Sequence, residues 1–144
     1  MFDTVPHMRM MAKLRGYGID GAVLEWIRSL LMERRQRVCI RDVKSSWSEV
    51  RSGIPQGTSL GSILFVIYIN DLPDVIASYV FMYADDTKIF RIIRDNRDTD
   101  LLQRDLDTAS EWCKKWLLCP MANAKSWRSL AREEKDRMAY INTR

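Results

Sequence analysis

The sequence predicts an α+β fold, in which a small antiparallel sheet packs against helices on one face. Three observations support this prediction. Short runs of β-branched and aromatic residues come in pairs separated by turn residues, as in hairpins. Elsewhere, apolar residues recur every three or four positions, as in amphipathic helices. These segments follow one another as two helices, a hairpin, a helix, a hairpin and a helix, an order typical of mixed folds with an antiparallel sheet.

Two helices are predicted at the start of the chain. Pro6 suits the first turn of a helix over His7–Arg15, and glycines follow this helix. A second helix begins after Asp20, which is a good N-cap. Its apolar residues recur at helical spacing. They are Val23, Ile27, Leu30 and Leu31.

The next segments predict a hairpin with polar faces and a buried helix. Alternating residues at 37–41 and the run at 47–50 flank a turn at Asp42–Lys44. The run Ser59–Leu72 is apolar on all sides and ends at Pro73. Its length favours a buried helix, although its β-branched residues leave a strand open.

A second hairpin and a long helix complete the predicted fold. Apolar runs at Tyr79–Tyr83 and Ile89–Ile93 flank Asp85 and Asp86, which places this acidic pair near the hairpin turn. Asp98 then suits the N-cap of an amphipathic helix that ends before Pro120. The apolar residues of this helix are Leu102, Leu106, Ala109, Cys113 and Trp116.

Length and composition exclude several classes of protein. The chain has 144 residues, of which 47% are hydrophobic, enough for one core. Its longest apolar run, Ile63–Ile69, is far shorter than the roughly 18 residues that cross a bilayer. The first residues lack the basic and then apolar pattern of a secretory signal. We therefore expect an intracellular protein, in the nucleus or the cytoplasm, that is neither secreted nor inserted in a membrane.

The cysteines and the histidine limit the available metal chemistry. Cys39, Cys113 and Cys119 are widely spaced and are expected to be small buried side chains. His7 is the only histidine, which excludes a site with several histidine ligands. Any metal chemistry must therefore depend on carboxylates.

Charge is unevenly distributed along the chain. Five arginines and one glutamate lie between residues 28 and 41, whereas ten acidic and five basic residues lie between 71 and 111. The arginines are Arg28, Arg34, Arg35, Arg37 and Arg41. A protein that holds phosphates on one surface and cations on another needs this pattern. Two solvated faces are the alternative.

The adjacent carboxylates of Asp85 and Asp86 indicate a cation site. They repel each other unless a cation lies between them, and magnesium prefers such oxygen ligands. Two such ions can activate an attacking hydroxyl and stabilise a leaving pyrophosphate. An exposed hairpin turn, where aspartate is common, is the alternative.

Two further features lie at the start of the chain and before the apolar helix. The loop Ser52–Gly61 contains glycines that allow close approach of a nucleotide, and Gln56 can both donate and accept hydrogen bonds. A purely structural start of the helix would explain the same loop. The aromatic Phe2 precedes Pro6 and, by itself, indicates little.

In this order, the three features resemble the palm of reverse transcriptases from non-LTR, LINE-type and jockey-like retrotransposons. The resemblance covers residues 1–118 and includes the sequences that connect the motifs. Among these are Gly16–Ile19, Trp26–Ser29, Arg35–Val38, Ser46–Val50 and Tyr68–Pro73.

The resemblance implies RNA-templated DNA synthesis by two-metal nucleotidyl transfer. Asp85 and Asp86 match the catalytic metal ligands, with Mg²⁺ or Mn²⁺ as cofactor, and Phe2 matches the aromatic that excludes a ribose 2′-hydroxyl. The other nucleotide-binding matches are Pro55, Gln56, Gly57, Tyr83 and, with irregular spacing, Lys125. The five arginines become contacts to nucleic acid. The implied partners are an RNA template, a DNA primer and deoxynucleoside triphosphates.

The chain departs from the family pattern at both ends. The family's other metal-binding aspartate lies five residues before the aromatic that Phe2 matches, and the fingers precede that position. Residues 119–144 diverge and are expected to form a surface helix or a disordered tail. We therefore expect a partial palm, truncated at the N-terminus, without fingers and a full thumb, and inactive as an isolated chain. A non-catalytic nucleic-acid-binding remnant and an unstable, pseudogene-like product are the alternatives.

Overall fold

The computed structural model describes residues 2–84 and 86–118. It confirms the predicted α+β class. The chain divides into one compact unit over Phe2–Tyr68 and a second that begins at Ile69, and each is described by itself. Within the described residues, none of the helices combines the length and the apolar character that a bilayer crossing requires. The predicted C-terminal segment 119–144 lies outside the described residues.

The first unit begins with two helices that pack against each other, α1 over His7–Gly16 and α2 over Gly21–Met32. Both were predicted, but Pro6 is the extended N-cap of α1 and lies outside its first turn. Leu24, Ile27 and Leu31 form the buried face of α2, while Val23 is 57% exposed. The prediction for Val23 was wrong, because the buried face of α2 is set by Leu24, Ile27 and Leu31 at spacings of three and four residues, and Val23 lies beside that face.

A long hairpin follows α2, as predicted. Strand β1 (Arg35–Gln36) pairs with β4 (Ser48–Glu49), and β2 (Cys39–Ile40) pairs with β3 (Val43–Lys44). The turn lies at residues 41–42, slightly earlier than predicted. All eight strand residues are exposed, so the predicted burial of Cys39 is wrong.

Helix α3 spans Ser59–Ile69 and confirms the prediction of a helix over a strand. Leu64, Phe65 and Tyr68 are almost completely buried. Ile63 and Val66 are more than half exposed, so the expectation of burial on all sides was wrong. The buried positions recur after one, three and four residues, which places them on one side of the helix.

The second unit contains the predicted acidic hairpin. Strand β5 (Tyr79–Tyr83) is antiparallel to β6 (Asp86–Phe90), with Tyr83 opposite Asp86. The second strand therefore begins three residues earlier than predicted, and Asp86 lies within it. A tight connection explains this difference, because Ala84 adopts a left-handed backbone conformation with φ of 52°. The described strands form three separate two-stranded sheets, whereas a single small sheet was predicted.

Helix α4 spans Asn96–Trp116 and is amphipathic, as predicted. Its N-cap is Asp95, whose side chain accepts a hydrogen bond from the Asp98 amide at 3.1 Å. Asp98 lies in the first turn of the helix, where its side chain accepts a hydrogen bond from the Arg94 amide at 3.0 Å. The prediction that Asp98 is the N-cap was therefore wrong. Trp112 lies on the buried face, whereas Trp116 is half-buried.

Candidate functional site

The N-terminal segment lies alongside the beginning of the glycine loop, Ser52–Gly61. The Gly53 amide donates to the Val5 carbonyl at 2.8 Å, and the Ile54 amide donates to the Phe2 carbonyl at 2.9 Å. These hydrogen bonds join two candidate motifs that are about 50 residues apart in the sequence. The backbone therefore fixes their relative position.

Two glycines make the path of this loop possible. Gly53 has φ of 90°, and a Cβ there would lie 2.8 Å from the Asp3 Cα. A Cβ on Gly61 would lie 2.0 Å from the carbonyl oxygen of Pro55. Both distances are too short for a side chain, so the close approach of the backbone explains why glycines occur here.

Phe2 and Gln56, both predicted to bind nucleotide, are each held by another side chain. The Phe2 ring stacks on Phe65 of α3, with 4.1 Å between the ring centroids. The Gln56 amide nitrogen donates to the Asp3 carboxylate at 2.8 Å. Because the nitrogen is directed to Asp3, the orientation of the Gln56 amide is defined. Asp3 was not predicted to have a role in binding.

His7 and Arg34 contact the same carbonyl oxygen, that of Gly53. His7 is 6% exposed, and its Nε2 lies 2.9 Å from this oxygen; because a carbonyl oxygen can only accept, Nε2 carries the proton when this hydrogen bond is formed. The Arg34 guanidinium also donates to Gly53, and its Nε donates to the Leu31 carbonyl at 3.3 Å. Burial lowers the pKa of His7 below its ordinary value, the Gly53 hydrogen bond opposes this shift, and the charge of Arg34 adds to it.

A polar cavity of about 510 Å³ opens beside these groups. Its walls contain Asp3, Gln56 and Arg34 from the site, together with Gln36, Glu49 and Arg51 near the base of the hairpin. Donors, acceptors and both signs of charge are therefore available to a polar ligand in this unit.

The five arginines predicted to contact nucleic acid have different surroundings. Arg28 pairs with Glu25 on the surface of α2 at 3.3 Å, and Arg34 is directed to the glycine loop. The exposed hairpin carries the other three, Arg35, Arg37 and Arg41. The guanidinium of Arg37 lies 4.4 Å from the centre of the Trp47 ring, a cation–π contact on an exposed surface.

The acidic hairpin lies in the second unit. Asp86 is half-buried at the start of β6, and Tyr83, opposite it, is 83% exposed. Asp85 and Lys125 lie outside the described residues. Within residues 2–84 and 86–118, no three acidic, histidine or cysteine side chains lie close enough together to hold a metal ion.

A buried carboxylate anchors the base of this hairpin. Asp105 of α4 accepts hydrogen bonds from the Ala77 amide at 3.0 Å, the Ser78 amide at 2.8 Å and the Ser78 hydroxyl. Arg91, just after β6, lies 3.8 Å from the same carboxylate. Sequence reasoning missed Asp105, although an acidic residue on the apolar face of a predicted helix was a signal.

The loop Ser52–Gly61 and the acidic hairpin are two of the motifs on which the predicted resemblance to reverse transcriptases rests. Residues 1–134 match the sequence model of the family described as reverse transcriptase (RNA-dependent DNA polymerase), and the chain belongs to this family. The predicted resemblance is therefore confirmed.

Among the relatives that the chain resembles are two proteins from mobile elements of Drosophila melanogaster. It is 30% identical over 132 residues to a probable RNA-directed DNA polymerase from transposon BS, which covers 81% of this chain and 14% of the relative. It is also 30% identical over 124 residues to the RNA-directed DNA polymerase from mobile element jockey, with 80% and 13% covered. The chain thus spans about one seventh of the length of these curated relatives. No solved structure matches it significantly. The chain is a reverse transcriptase domain of a retroelement.

Proposed function

We propose that this chain forms the nucleotide- and template-binding surface of a polymerase that copies RNA into DNA. The proposal rests on two backbone hydrogen bonds, which join the segment that contains Phe2 to the loop that leads to Gln56. An enzyme that selects its substrate by shape needs such groups at fixed relative positions. The substrates are deoxynucleoside triphosphates, and the partners are an RNA template and a DNA primer.

Phe2 selects deoxynucleotides in this proposal. Its ring stacks on Phe65, which is completely buried, so it cannot move away without losing this contact. A rigid ring next to the sugar rejects a 2′-hydroxyl by steric clash. Pro55, Gln56 and Gly57 form the loop that lies against the template and the incoming nucleotide. Tyr83 and Lys125 are further proposed nucleotide contacts.

Asp85 and Asp86 are the proposed metal ligands, with Mg²⁺ or Mn²⁺ as the ion. Asp86 fits this role, because pairing with Tyr83 in the strand register fixes the backbone that carries its carboxylate. Magnesium keeps several waters and binds substrate phosphates, so it needs few protein carboxylates. A bound ion would supply neutralisation of the phosphate charge.

The exposed hairpin is the proposed contact to the nucleic-acid backbone. Arg35, Arg37 and Arg41 supply positive charge, and Trp47 offers an exposed ring on which a base can stack. Arg34 does not belong to this surface, because its guanidinium donates to Gly53 and Leu31.

Calorimetric titration with dGTP and GTP in the presence of Mg²⁺ tests the nucleotide site. The wild-type chain is expected to bind dGTP more tightly, and Phe2→Ala is expected to reduce this preference by about tenfold, because the steric clash is removed. Met8→Ala is a matched control, since Met8 is 68% exposed on α1. Equal binding of the two nucleotides by the wild type would contradict the proposed selection.

Binding of single-stranded RNA at several salt concentrations tests the hairpin. Three phosphate contacts account for a log–log slope of about 2, so the triple variant R35A/R37A/R41A is expected to lose about that much of the salt dependence. Arg28→Ala serves as a control, because Arg28 already pairs with Glu25. An unchanged slope in the triple variant would show that this surface does not contact phosphates.

A further inference from the structure

We propose that His7 and Arg34 are positioning residues for the loop that carries Gln56, and that they act through the carbonyl oxygen of Gly53. This inference rests on the proposed nucleotide-binding function and assigns a role to two side chains outside the predicted nucleotide contacts. Neither side chain needs to touch the nucleotide.

Both side chains converge on one acceptor. His7 Nε2 lies 2.9 Å from the Gly53 oxygen, and the Arg34 guanidinium donates to the same atom. A carbonyl oxygen has two lone pairs, so it can accept both hydrogen bonds at once. Gly53 and His7 are buried, which makes these hydrogen bonds costly to lose.

The contacted residue is a conformational pivot of the loop. Gly53 has φ of 90°, and glycine offers the least intrinsic resistance to rotation of its backbone. Its amide is held by the Val5 carbonyl, and the following amide, of Ile54, is held by the Phe2 carbonyl. The two side chains hold the remaining polar group, the Gly53 carbonyl. Together these contacts fix the peptide planes on both sides of the glycine.

The fixed pivot determines where Gln56 lies. Gln56 follows Gly53 by three residues and bonds to the carboxylate of Asp3. The Asp3 backbone lies so close to Gly53 that a single added carbon would not fit between them. Rotation at Gly53 would therefore move the loop away from Asp3 and change the direction of the Gln56 amide.

Arg34 offers a way to distinguish positioning from phosphate binding. Its Nε and Nη2 donate to two different carbonyl groups, those of Leu31 and Gly53. Lysine has a single ammonium group and cannot reproduce this arrangement, although it can replace arginine as a point charge for phosphate. Arg34→Lys is therefore expected to order the loop less well than the wild type but better than Arg34→Met. The salt dependence of RNA binding is expected to stay unchanged.

Amide hydrogen exchange of the full chain, measured by NMR, tests the proposal without requiring polymerase activity. His7→Leu and Arg34→Met are each expected to speed exchange at Ile54 by about tenfold, because one hydrogen bond to the pivot is lost. His7→Gln can place its Nε2 near the position of the histidine nitrogen and is expected to stay within about twofold of the wild type. Arg28→Met is the control for loss of an arginine that does not contact Gly53.

The Gln56 side-chain amide and dGTP affinity provide the second and third readouts. The Gln56 amide resonances are expected to shift in His7→Leu and Arg34→Met, and the Kd for dGTP with Mg²⁺ to rise by about fivefold to tenfold, because the loop is less well ordered. His7→Gln is expected to restore both.

The possible outcomes separate this proposal from the proposed function. Unchanged exchange and an unchanged Gln56 amide in both variants would overturn the positioning role. Absence of dGTP binding by the wild type would overturn the proposed function, while the exchange data would still decide whether His7 and Arg34 order the loop. If His7→Leu does not fold, the exchange data of Arg34→Met decide whether the positioning role holds, since the Arg34 side chain is partly exposed and its replacement is better tolerated.

Discussion

Replacing Asp105 by alanine is expected to destabilise the unit that carries the acidic hairpin by about 3–5 kcal/mol, a typical cost of removing one partner from a buried charged network. Asp105 is 7% exposed, and its carboxylate accepts hydrogen bonds from two backbone amides and one hydroxyl, with Arg91 3.8 Å away. Without it, the amides of Ala77 and Ser78 would lose their acceptor. The Arg91 guanidinium would lose a partner as well, although it also lies 3.8 Å from Asp98.

The size of this effect follows from the number of hydrogen bonds. Each hydrogen bond to a charged group contributes about 1.5–3 kcal/mol, so three of them give an upper limit well above the expected loss. Water that enters the site after truncation compensates in part. Since domains are commonly stable by only about 5–15 kcal/mol, the variant would lose a large share of its stability.

Urea denaturation followed by circular dichroism measures this loss. Asp107→Ala is the matched control on the exposed side of α4, where the carboxylate accepts a hydrogen bond from Gln103 at 3.0 Å, and its expected loss is below about 0.5 kcal/mol. A double-mutant cycle with Arg91→Met isolates the contribution of the ion pair. If Asp105→Ala loses no more stability than Asp107→Ala, the carboxylate does not anchor the hairpin.

Three further predictions concern single residues. Folded His7 resists protonation, because its pKa lies below the ordinary value of 6.5; the free energy of unfolding is therefore expected to decrease as the pH falls through 6.5. His7→Gln should flatten this dependence in denaturation curves, and an equal slope in both proteins would contradict the shift. Gly61→Ala is expected to lower the melting temperature strongly, at a cost of about 3 kcal/mol, because its Cβ would overlap the Pro55 carbonyl oxygen; a melting temperature equal to the wild type would refute this close approach. Burial raises the pKa of Cys113 to about 11, whereas Cys39 is exposed. Iodoacetamide at neutral pH should therefore modify Cys39 in the folded protein and Cys113 only after unfolding, as mass spectrometry would show.

The helices and hairpins could be predicted because their signals are local. Apolar spacing in α4 and the paired apolar runs around Asp85 and Asp86 need no knowledge of the rest of the chain. The ends of the helices were harder to predict, because a local signal does not distinguish between two neighbouring capping residues. Asp95 and Asp98 are both good capping residues, and only the hydrogen bond from the Asp98 amide to the Asp95 side chain in the structure shows that Asp95 is the N-cap.

The candidate site was predictable only as a set of separate motifs. Phe2 and Gln56 could be identified from their own short sequences. Their supports could not, because His7 lies 46 positions from Gly53 and Asp3 lies 53 positions from Gln56. Residue spacing contains no information on such contacts. Arg34 is an example: its charge grouped it with the exposed arginines of the hairpin, whereas in the structure its guanidinium is bonded to Gly53.

The hairpin between Arg34 and Val50 has a closed base, because the Val50 amide donates to the Arg34 carbonyl at 3.0 Å. Arg34 itself is bonded to Gly53, so the chain leaves the site and returns to it at fixed points. Extra residues at the turn near Arg41 would lengthen the hairpin without moving Arg34 or Val50 at its base. Doubling the length of a loop costs only about 0.6 kcal/mol. This turn is therefore a natural place for insertions during evolution, and an insertion there would change the reach of the proposed nucleic-acid contact without changing the glycine loop.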